Sequence, residues 1–214
     1  MKYRRFPLGG LWTNGYLFYD DGASENAGEA FFVDPGGDVG EVVDFLEAHK
    51  LTLKAVLLTH GHLDHIAGIE GLIPLVGDRI YISSADAPHL KSPSQAMQMA
   101  LGMQCNGVEA FRTVADGDAL SLGAFSVGVM ATPGHTQGSV CYLIRLGEAE
   151  VLVSGDTLFA QSVGRTDLPG GDPGMLDASL RKLATLPDAL AVLPGHGPET
   201  TIGRERKSNP FWPY

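Results

Sequence analysis

Four times along this chain a short apolar run ends in a glycine-containing turn that carries His or Asp. Ala55-Val56-Leu57-Leu58 runs into Thr59-His60-Gly61-His62-Leu63-Asp64-His65. The alternating Phe125, Val127 and Val129 lead to Pro133-Gly134-His135, Val151-Leu152-Val153 to Gly155-Asp156, and Ala191-Val192-Leu193 to Pro194-Gly195-His196. Such runs, bounded by turn residues, read as strands buried in a sheet. Open α/β sheets place their ligand crevice at strand ends. Five of the seven His and two Asp fall at such ends, whereas His49 and His89 lack that setting and read as surface residues.

The rest of the chain fits an alternation of strands, helices and turns in two similar halves. Tyr16–Tyr19 and Ala30–Val33 read as strands, closed by the turns Asp20-Asp21-Gly22 and Asp34-Pro35-Gly36-Gly37. Asp38 is the expected cap of a helix whose Val39, Val42, Val43 and Leu46 form one apolar stripe. Arg79–Ile82 reads as a strand, and Val140–Ile144 with Val151–Val153 as a hairpin across Gly147. Asp172-Pro173 opens a helix with Leu176, Leu180 and Leu183 on one face, stopped before Pro187. Ser94 to Met103 is a further expected helix, rich in Met and Gln. Gap-filling core packing is the expected role of its methionines, with a mobile lid as the alternative. The expected fold class is α/β, with residues 1–214 forming a single domain whose helices cover sheet faces.

Composition removes several function classes. With 25 acidic and 15 basic side chains the charge is −10, and no basic stripe exists to meet a phosphate backbone. No run approaches the ~20 apolar residues of a membrane span, and residues 1–12 lack the apolar core of a secretory signal. The expected setting is therefore the cytoplasm, with neither nucleic acid nor membrane as partner. Cys105 and Cys141 are too few and too far apart for a disulfide scaffold or a thiolate zinc site, and are expected to be buried small hydrophobes.

The seven residues His60, His62, Asp64, His65, His135, Asp156 and His196 supply imidazole and carboxylate without thiolate. That donor set suits zinc as first choice, with iron or manganese as alternatives, in a catalytic rather than a closed structural site. In extended backbone His60 and His62 share a side. On a helix starting near Asp64, Asp64 and His65 diverge by about 100°. Seven ligands exceed what one tetrahedral ion takes and fit two divalent ions. A pair of such ions generates a nucleophile from water at neutral pH, so a hydrolase is expected. Two carboxylates and a hydroxide leave such a centre slightly positive, which favours an anionic substrate.

The run His60-x-His62-x-Asp64-His65, followed in order by His135, Asp156 and His196, resembles the metallo-β-lactamase superfamily. The resemblance implies a four-layer αβ/βα sandwich with two mixed sheets and the metals at one edge. It implies His60, His62 and His135 around one metal, Asp64, His65 and His196 around the other, and Asp156 bridging. Asp156 stands where the commonest true β-lactamases carry Cys, and His62 where flavodiiron proteins carry Glu. Nuclease members usually have an inserted domain for which this length leaves no room.

Gly155-Asp156-Thr157-Leu158-Phe159-Ala160, the stretch Gly164-Arg165-Thr166-Asp167-Leu168-Pro169-Gly170-Gly171-Asp172 and the ending around Pro194–Pro198 and Asn209-Pro210-Phe211 are similar to small bacterial glyoxalase II-like hydrolases. That likeness implies hydrolysis of S-D-lactoylglutathione or a related small anionic acyl-thiol, with Asp64 orienting the attacking hydroxide. Positions held in larger glyoxalase II proteins by a Lys and two Tyr are here Arg165, Asp167 and Pro198, and only 18 residues follow His196, too few for their helical domain. Arg165 is the expected contact to a substrate carboxylate, or else the partner of Asp167 or Asp172; Lys91, Lys207 and Tyr142 are secondary candidates. The Gly-Arg-Thr-Asp stretch also resembles persulfide dioxygenases, which bind one iron, and this is the alternative activity. The aromatic tail 210–214 is expected either to pack back on the core or to meet a second subunit.

Overall fold

The computed structural model describes residues 1–20 and 28–213. Asp21 and Gly22 of the first expected turn, and Tyr214 of the tail, lie outside the described residues.

Strands β1 (Lys2–Leu8), β2 (Thr13–Tyr19), β3 (Glu29–Val33), β4 (Thr52–Leu57), β5 (Ile80–Ser83) and β6 (Arg112–Val114) form the first sheet in that spatial order. Its first three strands pair antiparallel and the rest parallel, so it is mixed. Helices α1 (Gly40–Ala48), α2 (Leu63–Ile66), α3 (Ile73–Val76), α4 (Ala87–Lys91) and α5 (Gln95–Leu101) arise from its connections. The second sheet contains β7 (Ala119–Leu122), β8 (Phe125–Ala131), β9 (Val140–Leu146) and β10 (Ala149–Gly155). A small ribbon of β11 (Leu158–Phe159) and β12 (Ser162–Val163) follows, then helix α6 (Pro173–Leu183). β13 (Ala191–Pro194) pairs parallel with β10, and β14 (Thr200–Thr201) precedes the last helix, α7 (Ile202–Ser208).

Strand alternation explains the layering. Phe31, Val33, Ala55 and Leu57 of the first sheet meet Phe125, Val127, Tyr142, Ile144 and Val153 of the second in one buried cluster between the sheets. The intervening residues Phe32, Val56 and Leu58 face outward onto Val42, Phe45 and Leu46 of α1 and onto Ile66 and Ile69. Cys141, Leu143, Leu152 and Val192 likewise face outward onto Leu176, Leu180 and Leu183 of α6 and Ile202 of α7. Strands buried on both faces give unbroken apolar runs, as at Ala55–Leu58. The result is a four-layer αβ/βα sandwich with two mixed sheets inside.

Local starts and stops differ little from the sequence reading. Asp172 caps α6 through its side chain, which accepts from Met175 N. Asp38 accepts from Gly40 N at 2.9 Å, but α1 begins one residue later than a direct cap requires, after Val39. The two cysteines are free and buried, and burial pushes the Cys141 thiol up to about 11.

Two expectations need correction. Helix α5 forms with Ser94 as its cap, yet none of its residues is buried; Met99 is 86% exposed and Met97 also faces solvent. Gap-filling packing therefore fails for these two, because the helix rides on the surface of the first sheet's helical layer. Met103, beyond the helix, packs against that layer's core, as does Leu101 at the end of α5. Tyr142, named as a substrate contact, is fully buried between the sheets and its hydroxyl donates to Leu58 O at 2.8 Å. It joins the two sheets and has no free end for a ligand. In the tail, Trp212 packs into the α6–α7 core under Arg206, whereas Phe211 is exposed. Among the described residues no helix is long and apolar enough to cross a membrane.

Candidate metal centre

The four strand ends named by the sequence meet at one edge of the sandwich. Thr59-His60-Gly61-His62 follows β4, with His62 in extended backbone, and α2 then carries Asp64 and His65. His135 follows β8, Asp156 follows β10 and His196 follows β13. A methyl group at Gly195 would overlap Asp156 Oδ1 and His65, so only glycine lets this strand end approach so closely.

The ligand atoms fall into overlapping groups, each with all members within 4.8 Å of one another: His60, His62 and His135; His60, His65 and Asp156; Asp64, His65 and His196. His62 Nδ1 and His135 Nε2 are 2.9 Å apart, and His196 Nε2 lies 3.2 Å from Asp64 Oδ2. Asp156 stands between the outer groups, with Oδ1 3.3 Å from His65 Nε2 and Oδ2 3.5 Å from His135 Nε2 and 3.6 Å from His196 Nε2. All seven candidate ligands are thus brought together.

The donor set fits a pair of metal ions on one direct observation. His60 Nε2, His65 Nε2 and Asp156 Oδ1 are buried and have no hydrogen-bond partner. Leaving buried polar atoms unpaired costs about 1–3 kcal/mol each, so three of them facing one point call for a cation. The opposite ring nitrogens of three of the imidazoles are engaged. His65 Nδ1 contacts Asp34 Oδ2 at 2.9 Å, His60 Nδ1 contacts Thr59 Oγ1 at 3.1 Å, and His135 Nδ1 contacts Arg165 O at 2.7 Å. Donation through Nδ1 leaves the Nε2 lone pair aimed inward, as metal-binding imidazoles require.

Electrostatics demand positive charge at the same place. Burial opposes ionisation of Asp156 and Asp64, but His65 and His196 outweigh it and hold both carboxyls below the usual range. Burial works against charge on His65 and His196 too, yet the neighbouring carboxylates raise both. His60 and His62 shift the other way: burial, then the neighbouring imidazoles, lower both, His62 to about 4. One side of the centre is carboxylate-rich and the other is neutral imidazole.

Sequence reasoning missed three buried polar residues here. Asp34, 1% exposed, accepts from Thr59 N and Thr59 Oγ1 as well as facing His65. Its only signal was a turn motif, Asp-Pro-Gly-Gly, which hid a left-handed Asp at φ +55°. Thr13 donates to Asp64 Oδ2 at 3.2 Å, and Asp86 accepts from Gly61 N at 2.8 Å. Arg165 makes the ion pair that the sequence reading offered as its alternative role. Its guanidinium lies in the open and pairs with Asp167 at 2.6–2.7 Å, while Asp172 is occupied in capping α6. Beside this pair is a cavity of about 480 Å³ lined by Gly164, Arg165, Leu176, Leu180 and Phe211. Lys91 lies over the Phe111 ring, and His49 and His89 are exposed.

The chain is similar to known proteins over nearly its whole length. The chain is 35% identical to "Hydroxyacylglutathione hydrolase GloC" of Haemophilus influenzae, over 99% of this chain and 98% of that one. Among solved structures it matches the BLEG-1 B3 metallo-beta-lactamase at 37% identity and TM-score 0.88, covering 99% of both chains. It also matches TTHA1623, solved in a di-iron-bound form, at 33% identity and TM-score 0.84, over 97% of this chain and 99% of that one. Residues 15–196 match the Metallo-beta-lactamase superfamily, from the second strand to the last candidate ligand. With its sandwich and its clustered strand-end ligands, the chain belongs to the metallo-β-lactamase superfamily, and relatives of 34–35% identity are named as hydrolases.

Proposed function

We propose that this metallohydrolase cleaves thioesters, with S-D-lactoylglutathione or a related small anionic acyl-thiol as substrate. The observation that carries the reading is the clustering of three overlapping ligand groups, three of whose buried ligand atoms have no hydrogen-bond partner. The similarity to a hydroxyacylglutathione hydrolase over nearly the whole of both chains supports the choice of thioester. His60, His62 and His135 would hold one divalent ion, Asp64, His65 and His196 a second, with Asp156 between them. Zinc is the first choice; iron is the alternative, favoured by the di-iron form of a neighbour, and manganese a third. Ions bound there would polarise the thioester carbonyl and supply a hydroxide nucleophile at neutral pH.

The chain's own residues do the rest. Asp64 is ionised and fixed by Thr13 and His196, so its carboxylate would orient the attacking water. Water adds to the acyl carbon, the C–S bond breaks, and an acid and a thiol result. The thiolate needs no strong general acid to leave, because a free thiol has a pKa of about 8.5. Arg165 meets a substrate carboxylate by exchanging it for Asp167, which an exposed pair permits at small cost. The two free cysteines and the charge of −10 support a cytoplasmic setting and a small-molecule partner.

A second reading has its own support. The B3 metallo-beta-lactamase likeness favours β-lactam hydrolysis by the same centre. Protein produced in defined medium should carry close to two metals per chain and release thiol from the thioester without oxygen. Cleavage of a β-lactam and not of the thioester would establish the second reading. One metal per chain, with oxygen uptake on glutathione persulfide, would overturn both in favour of a dioxygenase.

A further inference from the structure

Two buried side chains outside the ligand set each tie down one half of the centre. On β2, Asn14 is 3% exposed and its Nδ2 donates to Pro194 O and to Gly197 O, both at 2.9 Å. Its backbone N donates to Gly195 O at 2.7 Å, and Tyr16 Oη donates to Pro194 O at 2.9 Å. Three carbonyls of the loop that carries His196 are therefore held by one strand of the opposite sheet. On the inner side the same loop abuts Asp156 and His65 through Gly195, whose N donates to Gly155 O at 2.8 Å. His196 inherits its position from a backbone gripped on both sides.

Asp86, 1% exposed in the turn between β5 and α4, performs the matching task at the other end. One carboxylate oxygen accepts from Gly61 N and Thr136 Oγ1, both at 2.8 Å, and the other accepts from Gly138 N at 2.8 Å. Gly61 separates His60 from His62, and Thr136 follows His135. A single carboxylate thus joins the loop of the first sheet that bears two imidazoles to the loop of the second that bears the third. Among the described residues, the side chain of Asn14 hydrogen-bonds the loop of His196, and that of Asp86 the loops that bear His60, His62 and His135.

We infer that Asn14 and Asp86 are positioning residues that set the two metal subsites separately, so that each subsite can be weakened without the other. The inference rests on the metal-centre reading above. Residues that orient ligands typically change metal affinity by about 10–100-fold when replaced. Here the change should be confined to one subsite.

The test measures zinc affinity by competition with a chromogenic chelator, in two backgrounds that each break one ligand group. In His62→Ala the Asp64, His65, His196 group is intact; in His196→Ala the His60, His62, His135 group is intact. Asn14→Ala should weaken zinc about 10–100-fold in the His62→Ala background and less than about twofold in His196→Ala. Asp86→Asn should give the reverse pattern. Tyr16→Phe keeps the ring in the core and removes one donor, so it should shift affinity in the direction of Asn14→Ala, by less, even if Asn14→Ala does not fold. Equal effects of a substitution in both backgrounds, or effects in neither, would overturn the inference. Wild-type protein that binds no zinc would instead overturn the metal reading beneath it.

Discussion

Asp34→Asn isolates the part played by proton placement. Asparagine keeps the shape of Asp34 and tolerates the left-handed backbone at this position. Oδ1 can still accept from Thr59 N, but an NH2 group replaces Oδ2, which now faces Thr59 Oγ1 at 2.7 Å and His65 Nδ1 at 2.9 Å. Two donors cannot face each other, so His65 must carry its proton on Nε2, the nitrogen aimed at the centre. The Thr59 hydroxyl must turn to accept from the amide and then donate to His60 Nδ1, 3.1 Å away. His60 consequently changes tautomer as well. One atom replaced at Asp34 therefore caps two inward lone pairs, one in each ligand group. The expected loss of about 10–100-fold per metal corresponds to about 1.4–2.8 kcal/mol. Because Thr59 N, Thr59 Oγ1 and His65 Nδ1 all keep a partner at residue 34, the metal-free protein should melt within a few degrees of wild type. Asp34→Ala instead leaves Thr59 N and His65 Nδ1 unpaired, about 1–3 kcal/mol each, and should lower the melting temperature of the metal-free protein sharply. Chelator competition and thermal unfolding measure the two effects. Zinc affinity of Asp34→Asn within twofold of wild type would refute the tautomer argument, and so would a metal-free melting temperature as low as that of Asp34→Ala.

Other expectations follow from the same structure. Arg165→Ala should raise KM for a carboxylate-bearing thioester at least fivefold with kcat and melting temperature nearly unchanged, since its pair with Asp167 is exposed; an unchanged KM would remove Arg165 from the substrate contacts. Leu180→Ala, in the α6 face packed on β9 and β10, should cost about 2–5 kcal/mol in denaturant unfolding, whereas Met99→Ser should stay within about 0.5 kcal/mol. Stability should fall as pH rises from about 9 toward 11. Cys141 is raised from 9.0 to about 11, and burial also raises Tyr16 and Tyr142, so the unfolded chain releases these protons first. Melting temperatures across that range test it, and Cys141→Ala should flatten the early part of the decline.

The candidate ligands were legible because ligation at a strand end leaves a local mark: an apolar run, a glycine, then His or Asp. His60, His62, Asp64 and His65 announce themselves within one short stretch, and His135, Asp156 and His196 repeat the same grammar. The apolar runs likewise announced the buried strands, since a strand covered on both faces has no polar alternation to lose. Helix α5 shows where local pattern misleads. Ser94 to Met103 reads correctly as a helix, but whether a helix face meets a core depends on what the rest of the chain leaves beside it.

What held the ligands in place was invisible in the chain alone. Asp34 lies 25 residues from Thr59, Asp86 lies 50 residues from Thr136, and Asn14 lies 180 residues from Pro194. A buried hydrogen bond leaves no periodicity and no spacing rule, so Asp34 read as turn chemistry and Asn14 and Asp86 drew no notice. The sequence by itself determined the alternation of strands and helices, the residue types at the strand ends, and hence the class of chemistry they suit. Only the tertiary structure decided that both sheets contribute to one edge, that Tyr142 is a strut between them, that Arg165 is paired, and which nitrogen of each imidazole faces inward. Those are decisions of burial and distance: the free energy of an unpaired polar atom depends on its surroundings in space, not on its neighbours along the chain.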